Sequence, residues 1–240
     1  MVDHLGQLRS DRVLLAGLAG ADLDAPVAAC PAWSLGNLVS HLAMVHRFAL
    51  RMLDSPPEGA ASRPTERPPE GDDVWGFLDD GLARLIDDLA ERGPDQPCGS
   101  FVGPVTVGWW LRRQAMETVV HRWDAEVAAG RAPGVIDGGV AVDGIDEWLD
   151  LNIARGWAPP EGPGGTLHLH ATDGDGEWFI EFGDTLAWRH GHQKGDVAVR
   201  GSREQLYLGC WGRVPATSLE LIGDGGLFAS FLAGLHHSAR

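Results

Sequence analysis

The sequence predicts an α+β protein: a four-helix bundle over residues 1–158, then a small α+β domain over 166–240. Three observations lead there. Four segments before residue 130 repeat apolar residues at the spacing of about 3.6 that lines one helical face. A proline- and glycine-rich stretch, Pro159-Pro160-Glu161-Gly162-Pro163-Gly164-Gly165, reads as a linker. Beyond it the apolar period changes to two, the period of a half-buried strand.

In the first helix, predicted over about 3–20, Leu5, Leu8, Val13, Leu15 and Leu18 form the apolar line and Gly20 is the stop. Ser34 is placed to cap a second helix whose inward stripe is Leu35, Leu38, Leu42, Val45, Ala49 and Met52. His41 falls on that stripe, whereas His46 falls off it and is expected in solvent. Five prolines within 55–71 exclude a regular element, and the length of this loop suggests a lid or rim. Asp72-Asp73 opens a third helix carrying Val74, Leu78, Leu82, Leu85 and Leu89, closed by Gly93-Pro94. A break over 96–104 precedes the fourth helix, which ends near Gly130 and bears an apolar line of Met116, Val120, Trp123 and Val127. A shorter helix over about 140–155 follows.

In the second domain Thr166-Leu167-His168-Leu169-His170 alternates, Asp173-Gly174-Asp175-Gly176 turns, and Trp178-Phe179-Ile180-Glu181-Phe182 returns, which makes a hairpin. Strands are expected at 196–200 and 219–222, and helices at about 202–211 and 227–235. Trp188-Arg189-His190-Gly191-His192 is read as a loop.

The balance of 34 acidic against 19 basic residues leaves a net charge of −15, which argues against nucleic acid and anionic membrane surfaces as partners. Cys30, Cys98 and Cys210 are an odd set without Cys-x-x-Cys spacing, so neither a disulfide framework nor a cysteine zinc site is expected. No signal-peptide pattern follows Met1 and no long uncharged apolar segment occurs; the expected location is the cytoplasm.

The chemistry concentrates in Gln114-Ala115-Met116-Glu117-Thr118-Val119-Val120-His121-Arg122-Trp123-Asp124. Glu117 and His121, four apart, stack on one helical face, and Gln114 and Asp124 extend it. Alone, that pair reads as an ordinary i, i+4 salt bridge. With His41 from the second helix it becomes two imidazoles and one carboxylate on inward faces. That His₂Glu set leaves one position open on zinc, as catalytic sites do. Asp124 would orient a ligand or pair with Arg122. Among the other histidines, His168 with His170 and His190 with His192 suggest a second metal site, but no carboxylate or third ligand stands at matching spacing, so none is expected. His236 and His237 are read as a frayed tail, and Trp33 and Trp123 as candidate pocket walls.

The segments Cys30-Pro31-Ala32-Trp33-Ser34-Leu35-Gly36-Asn37-Leu38-Val39-Ser40-His41-Leu42 and Glu117-Thr118-Val119-Val120-His121-Arg122-Trp123-Asp124-Ala125 resemble the mycothiol-dependent maleylpyruvate isomerase family of the DinB-like superfamily. His170-Ala171-Thr172-Asp173-Gly174-Asp175-Gly176-Glu177-Trp178 resembles the opening hairpin of that family's C-terminal domain. The resemblance implies a DinB-like bundle, a zinc ion (or another divalent metal) on His41, Glu117 and His121, and mycothiol as thiol cosubstrate. It also implies a catalytic arginine, matched to Arg213. The implied reaction is attack of a zinc-bound thiolate on a small electrophile, as cis–trans isomerisation of the maleylpyruvate type or as thiol S-transfer, by a monomer or homodimer. The competing reading is a non-catalytic metal-binding or stress-response protein of the same superfamily.

Overall fold

The structure, a computed structural model, describes residues 2–59, 66–156 and 164–236. The chain forms two compact units, Met1–Gly134 and Val135–Arg240.

In the first unit α1 (His4–Ala16), α2 (Leu35–Leu53), α3 (Asp73–Glu91) and α4 (Val107–Ala128) make the expected bundle. Each helix packs on two others: α1 on α3 and α4, and α2 on α3 and α4. Most of the predicted stripes face the core, although Val13 of the first is exposed and Val45, Trp123 and Val127 are half-buried. Leu8, Leu38, Leu42, Met52, Leu82, Leu85, Ala115 and Met116 are all buried, and each large apolar side chain so buried contributes about 1.5–3 kcal/mol. Ser34 caps α2 as expected, in a reciprocal box with Asn37. Asp72, by contrast, makes no capping hydrogen bond at α3. The break before α4 holds a two-residue antiparallel pairing of β1 (Pro97–Cys98) with β2 (Val105–Thr106).

Helix α4 is buried on polar faces as well as apolar ones. Arg113, Gln114, Thr118, His121, Arg122, Asp124 and Glu126 all lie inside. Such groups require partners, because an unpaired buried charge is strongly destabilising. Arg122 donates to Asp11 of α1 at 3.1 Å, to Glu126 at 2.6 Å and to the Gly134 carbonyl at 2.8 Å. Burial raises the Asp11 carboxyl to about 6, against the lowering effect of Gln7 and Arg122. This ion cluster ties α1 to α4 and the chain end of the first unit to the same point.

In the second unit α5 (Gly138–Ala154) packs on α6 (Arg203–Cys210) and on a five-stranded sheet. The strands are β3 (Gly165–Ala171), β4 (Glu177–Phe182), β5 (Leu186–His190), β6 (Val197–Gly201) and β7 (Glu220–Gly223), in the order β5-β4-β3-β6-β7. Only β3 and β6 run parallel; the other neighbours are antiparallel. Leu167, Leu169, Trp178, Ile180, Val197 and Val199 are buried and share the face covered by α5, α6 and α7 (Gly225–His236). Thr166, His168, His170, Glu177 and Phe179 share the other.

Two expectations change. The segment read as a Trp-Arg-His-Gly-His loop is mostly strand, since Leu186–His190 pairs along β4 and its alternation is hidden by polar side chains. The division into units falls at Gly134 and Val135 rather than at 159–165, because α5 buries Val140, Ala141, Ile145, Trp148 and Leu149 within the second unit. Residues 159–163 of the expected linker lie outside the described residues, as does His237.

Replacing Arg122 by Ala leaves Asp11 and Glu126 buried and uncompensated. The unfolding free energy is expected to fall by about 3–5 kcal/mol, as for other buried pairs that lose one partner. Urea unfolding of Arg122→Ala checks this; a loss below about 1 kcal/mol would show the cluster to be solvated.

Candidate metal centre

His41 leaves α2 on its inward stripe, and Glu117 and His121 leave α4 one turn apart, so the α2–α4 contact brings the three together. One donor atom from each lies within 4.8 Å of the others. Nε2 of His41 is 3.1 Å and Nε2 of His121 3.4 Å from the same oxygen, Oε1 of Glu117. The two imidazole rings stand edge to face, 5.2 Å apart.

Both α4 side chains are held from behind. Nδ1 of His121 donates to Asp124 at 2.9 Å, which orients the ring and leaves Nε2 facing the cluster. The second oxygen of Glu117, Oε2, accepts from the buried guanidinium of Arg113. Burial pushes the Glu117 carboxyl up, but Arg113 and the two imidazoles outweigh it and hold the group well below the usual carboxylate range. For His121 burial favours the neutral ring, and Asp124 and Glu117 more than reverse that. Trp33, just before α2, stacks obliquely on His41 with ring centres 4.8 Å apart and lies 6.3 Å from His121. A third of the His41 side chain is exposed, so the cluster opens to solvent on that side.

Two imidazole nitrogens converging on one carboxylate oxygen, each α4 side chain oriented by a further residue, form a donor set that could hold a divalent metal. Asp124 takes the orienting place and not the alternative pairing with Arg122, which is committed to Asp11 and Glu126. Gln114 is buried. Arg113 was not singled out from the sequence, although it stands at the same i, i+4 spacing from Glu117 that drew attention to His121.

His46 corrects the expectation of a solvated side chain. It is fully buried, with Nε2 3.0 Å from Oγ1 of Thr118, because α4 crosses α2 beside the apolar stripe and presents a hydroxyl there. Arg213 belongs to the second unit, after α6. Its guanidinium donates to the Trp211 carbonyl at 2.7 Å and its backbone N–H to Leu208. Burial pushes the Cys210 thiol up to about 12.

The expectation that no carboxylate or third donor stands with these histidines is corrected. His168, His170, Glu177 and His192 bring one donor atom each within 4.8 Å of one another. The missing carboxylate is Glu177, which stands directly opposite His170 across the β3–β4 pairing. Linear spacing does not show it; strand register does.

The family model of the mycothiol maleylpyruvate isomerase N-terminal domain matches residues 8–126, and that of the family's C-terminal domain matches residues 139–230. The chain belongs to the mycothiol maleylpyruvate isomerase family. A search of curated proteins gave no match. Among solved structures, one described as the mycothiol-dependent maleylpyruvate isomerase superposes with a TM-score of 0.65 at 14% identity, covering 91% of each chain. At that identity the likeness is one of fold. No helix among the described residues is long and apolar enough to cross a membrane.

The buried position of His46 predicts an acid sensitivity. Desolvation lowers its pKa from 6.5 to about 3, so the neutral ring's contribution to stability is complete above pH 6.5 and is lost as pH falls toward 3. The slope is at most about 1.4 kcal/mol per pH unit. Urea midpoints between pH 7 and 4, with chelator present, should fall more steeply for the wild type than for His46→Gln. Parallel slopes would contradict the assignment.

Proposed function

We propose that this chain is a mycothiol-using metalloenzyme of the cytoplasm that acts on a small electrophile, by cis–trans isomerisation of the maleylpyruvate type or by thiol S-transfer. The observation that carries the reading is the convergence of His41, Glu117 and His121 in a chain whose two halves both match the family. A zinc ion on these three side chains would keep a position open and hold a thiol there as thiolate, a form that a free thiol of pKa about 8.5 populates only slightly at neutrality.

The residues of the chain supply the rest. Asp124 fixes the tautomer of His121, so that Nε2 carries no proton when a metal is held. Arg113 keeps Glu117 ionised and aimed, and Trp33 walls the His41 side with an apolar ring. Addition of the thiol sulfur to an activated cis double bond leaves a rotatable single bond. Elimination after rotation gives the trans isomer and returns the thiol. Arg213 is proposed as the group that receives the substrate carboxylate through paired N–H donors and stabilises enolate charge.

Mycothiol should bind the zinc-loaded protein with release of a proton, since a ligating sulfur must be thiolate. His41→Ala and His121→Ala should each lose one metal equivalent and bind mycothiol at least about tenfold more weakly. Glutathione, which lacks the sugar–inositol part, should bind poorly. Calorimetry in two buffers of different ionisation enthalpy measures affinity and proton release together. Failure of mycothiol to bind the zinc-loaded protein would remove the thiol and leave zinc hydrolysis or a non-catalytic role.

A further inference from the structure

We propose that the second unit carries a metal site of its own, in which His168, His170, Glu177 and His192 hold a late first-row divalent ion, zinc foremost. Nδ1 of His170 lies 2.6 Å and Nδ1 of His192 3.2 Å from Oε1 of Glu177, and Nε2 of His168 lies 3.9 Å from Oε2. Donors bound to a tetrahedral zinc at about 2.0–2.2 Å stand roughly 3.3–3.6 Å apart, so these separations bracket a metal polyhedron and need only small rotamer changes to reach it.

Ordinary hydrogen bonding to Glu177 accounts for His170 and His192. It does not account for His168. That side chain is only 5% exposed, and its Nε2 has no hydrogen-bond partner although it points at the cluster. A buried ring nitrogen is rarely left unsatisfied, and the unmet partner here is the one that a metal ion would provide. The rings of His168 and His192 also meet edge to face, 4.7 Å apart, which brings the donor following β5 over the donors of β3.

The set is three imidazoles and one carboxylate, a borderline-to-hard donor group that suits zinc, nickel or copper in preference to calcium or magnesium. Four protein donors close a tetrahedral zinc, the arrangement of structural sites, in contrast to the three-donor set of the bundle. The ion would join β3, β4 and the segment after the edge strand β5, and so act as a clamp on that edge of the sheet. His170 and Glu177 also line a pocket of about 410 Å³ with Gly174, Gly176 and His190, which gives the ion an entry route.

The site is tested in the chelator-stripped full chain by calorimetric titration with zinc chloride. The wild type should bind two equivalents. His121→Ala, which disables only the bundle site, should bind one, and that equivalent should raise the thermal midpoint. Adding Glu177→Gln or His170→Ala to His121→Ala should weaken the remaining equivalent at least about tenfold and abolish the midpoint shift. Glu177→Gln preserves shape, and circular dichroism confirms that the fold persists. If His121→Ala binds no zinc, or binds it equally well with and without the Glu177 and His170 changes, the proposal is overturned. These outcomes stand apart from mycothiol binding, which tests the bundle site alone.

Discussion

A carboxylate placed inside a helical bundle is the constraint on which the first unit depends. Glu117 is drawn into the interior by α4, and an ionised carboxylate there requires compensation on both oxygens. Arg113 compensates one from the same helix, and the imidazoles of His41 and His121 face the other. Since His41 comes from α2, this is also what fixes how α2 and α4 face each other at the site. His46 with Thr118 adds a second polar link between the same helices. The Asp11–Arg122–Glu126 cluster performs the equivalent task between α1 and α4. Helix α4 is therefore specified by matched polar groups as much as by apolar burial.

The two donor clusters reach convergence by different geometry. In the bundle, helical periodicity puts Glu117 and His121 on one face and helix packing brings the third group. In the sheet, strand alternation puts His168 and His170 on one face, cross-strand register brings Glu177, and the segment after β5 delivers His192. The first set has three donors and opens to solvent beside His41. The second has four and includes a buried nitrogen without a partner. On the proposed assignments, the difference in donor number would separate a site that receives a further ligand from one that holds an edge together.

The helices and their apolar faces were legible because a period near 3.6 is local information, and the capping box at Ser34 and Asn37 is local too. The convergence of His41, Glu117 and His121 was legible because each lies on or beside an inward stripe. His46 was misread for the opposite reason: it lies off the stripe of α2, and only the crossing of α4 brings Thr118 to it. Glu177 was invisible as a partner of His170 because strand register is set by the turn and by the whole sheet. The assignment of α5 to the second unit was hidden likewise. Its amphipathic pattern says that it packs but not on what.

The account turns on a metal ion between α2 and α4, and diffraction data from crystals of the zinc-loaded protein, collected on both sides of the zinc absorption edge, test that most directly. The predicted result is an anomalous peak enclosed by Nε2 of His41, Nε2 of His121 and a carboxylate oxygen of Glu117, with Asp124 still bonded to His121. A clean map with no anomalous density between these three side chains, and Glu117 engaged only by Arg113 and the imidazoles, would contradict it.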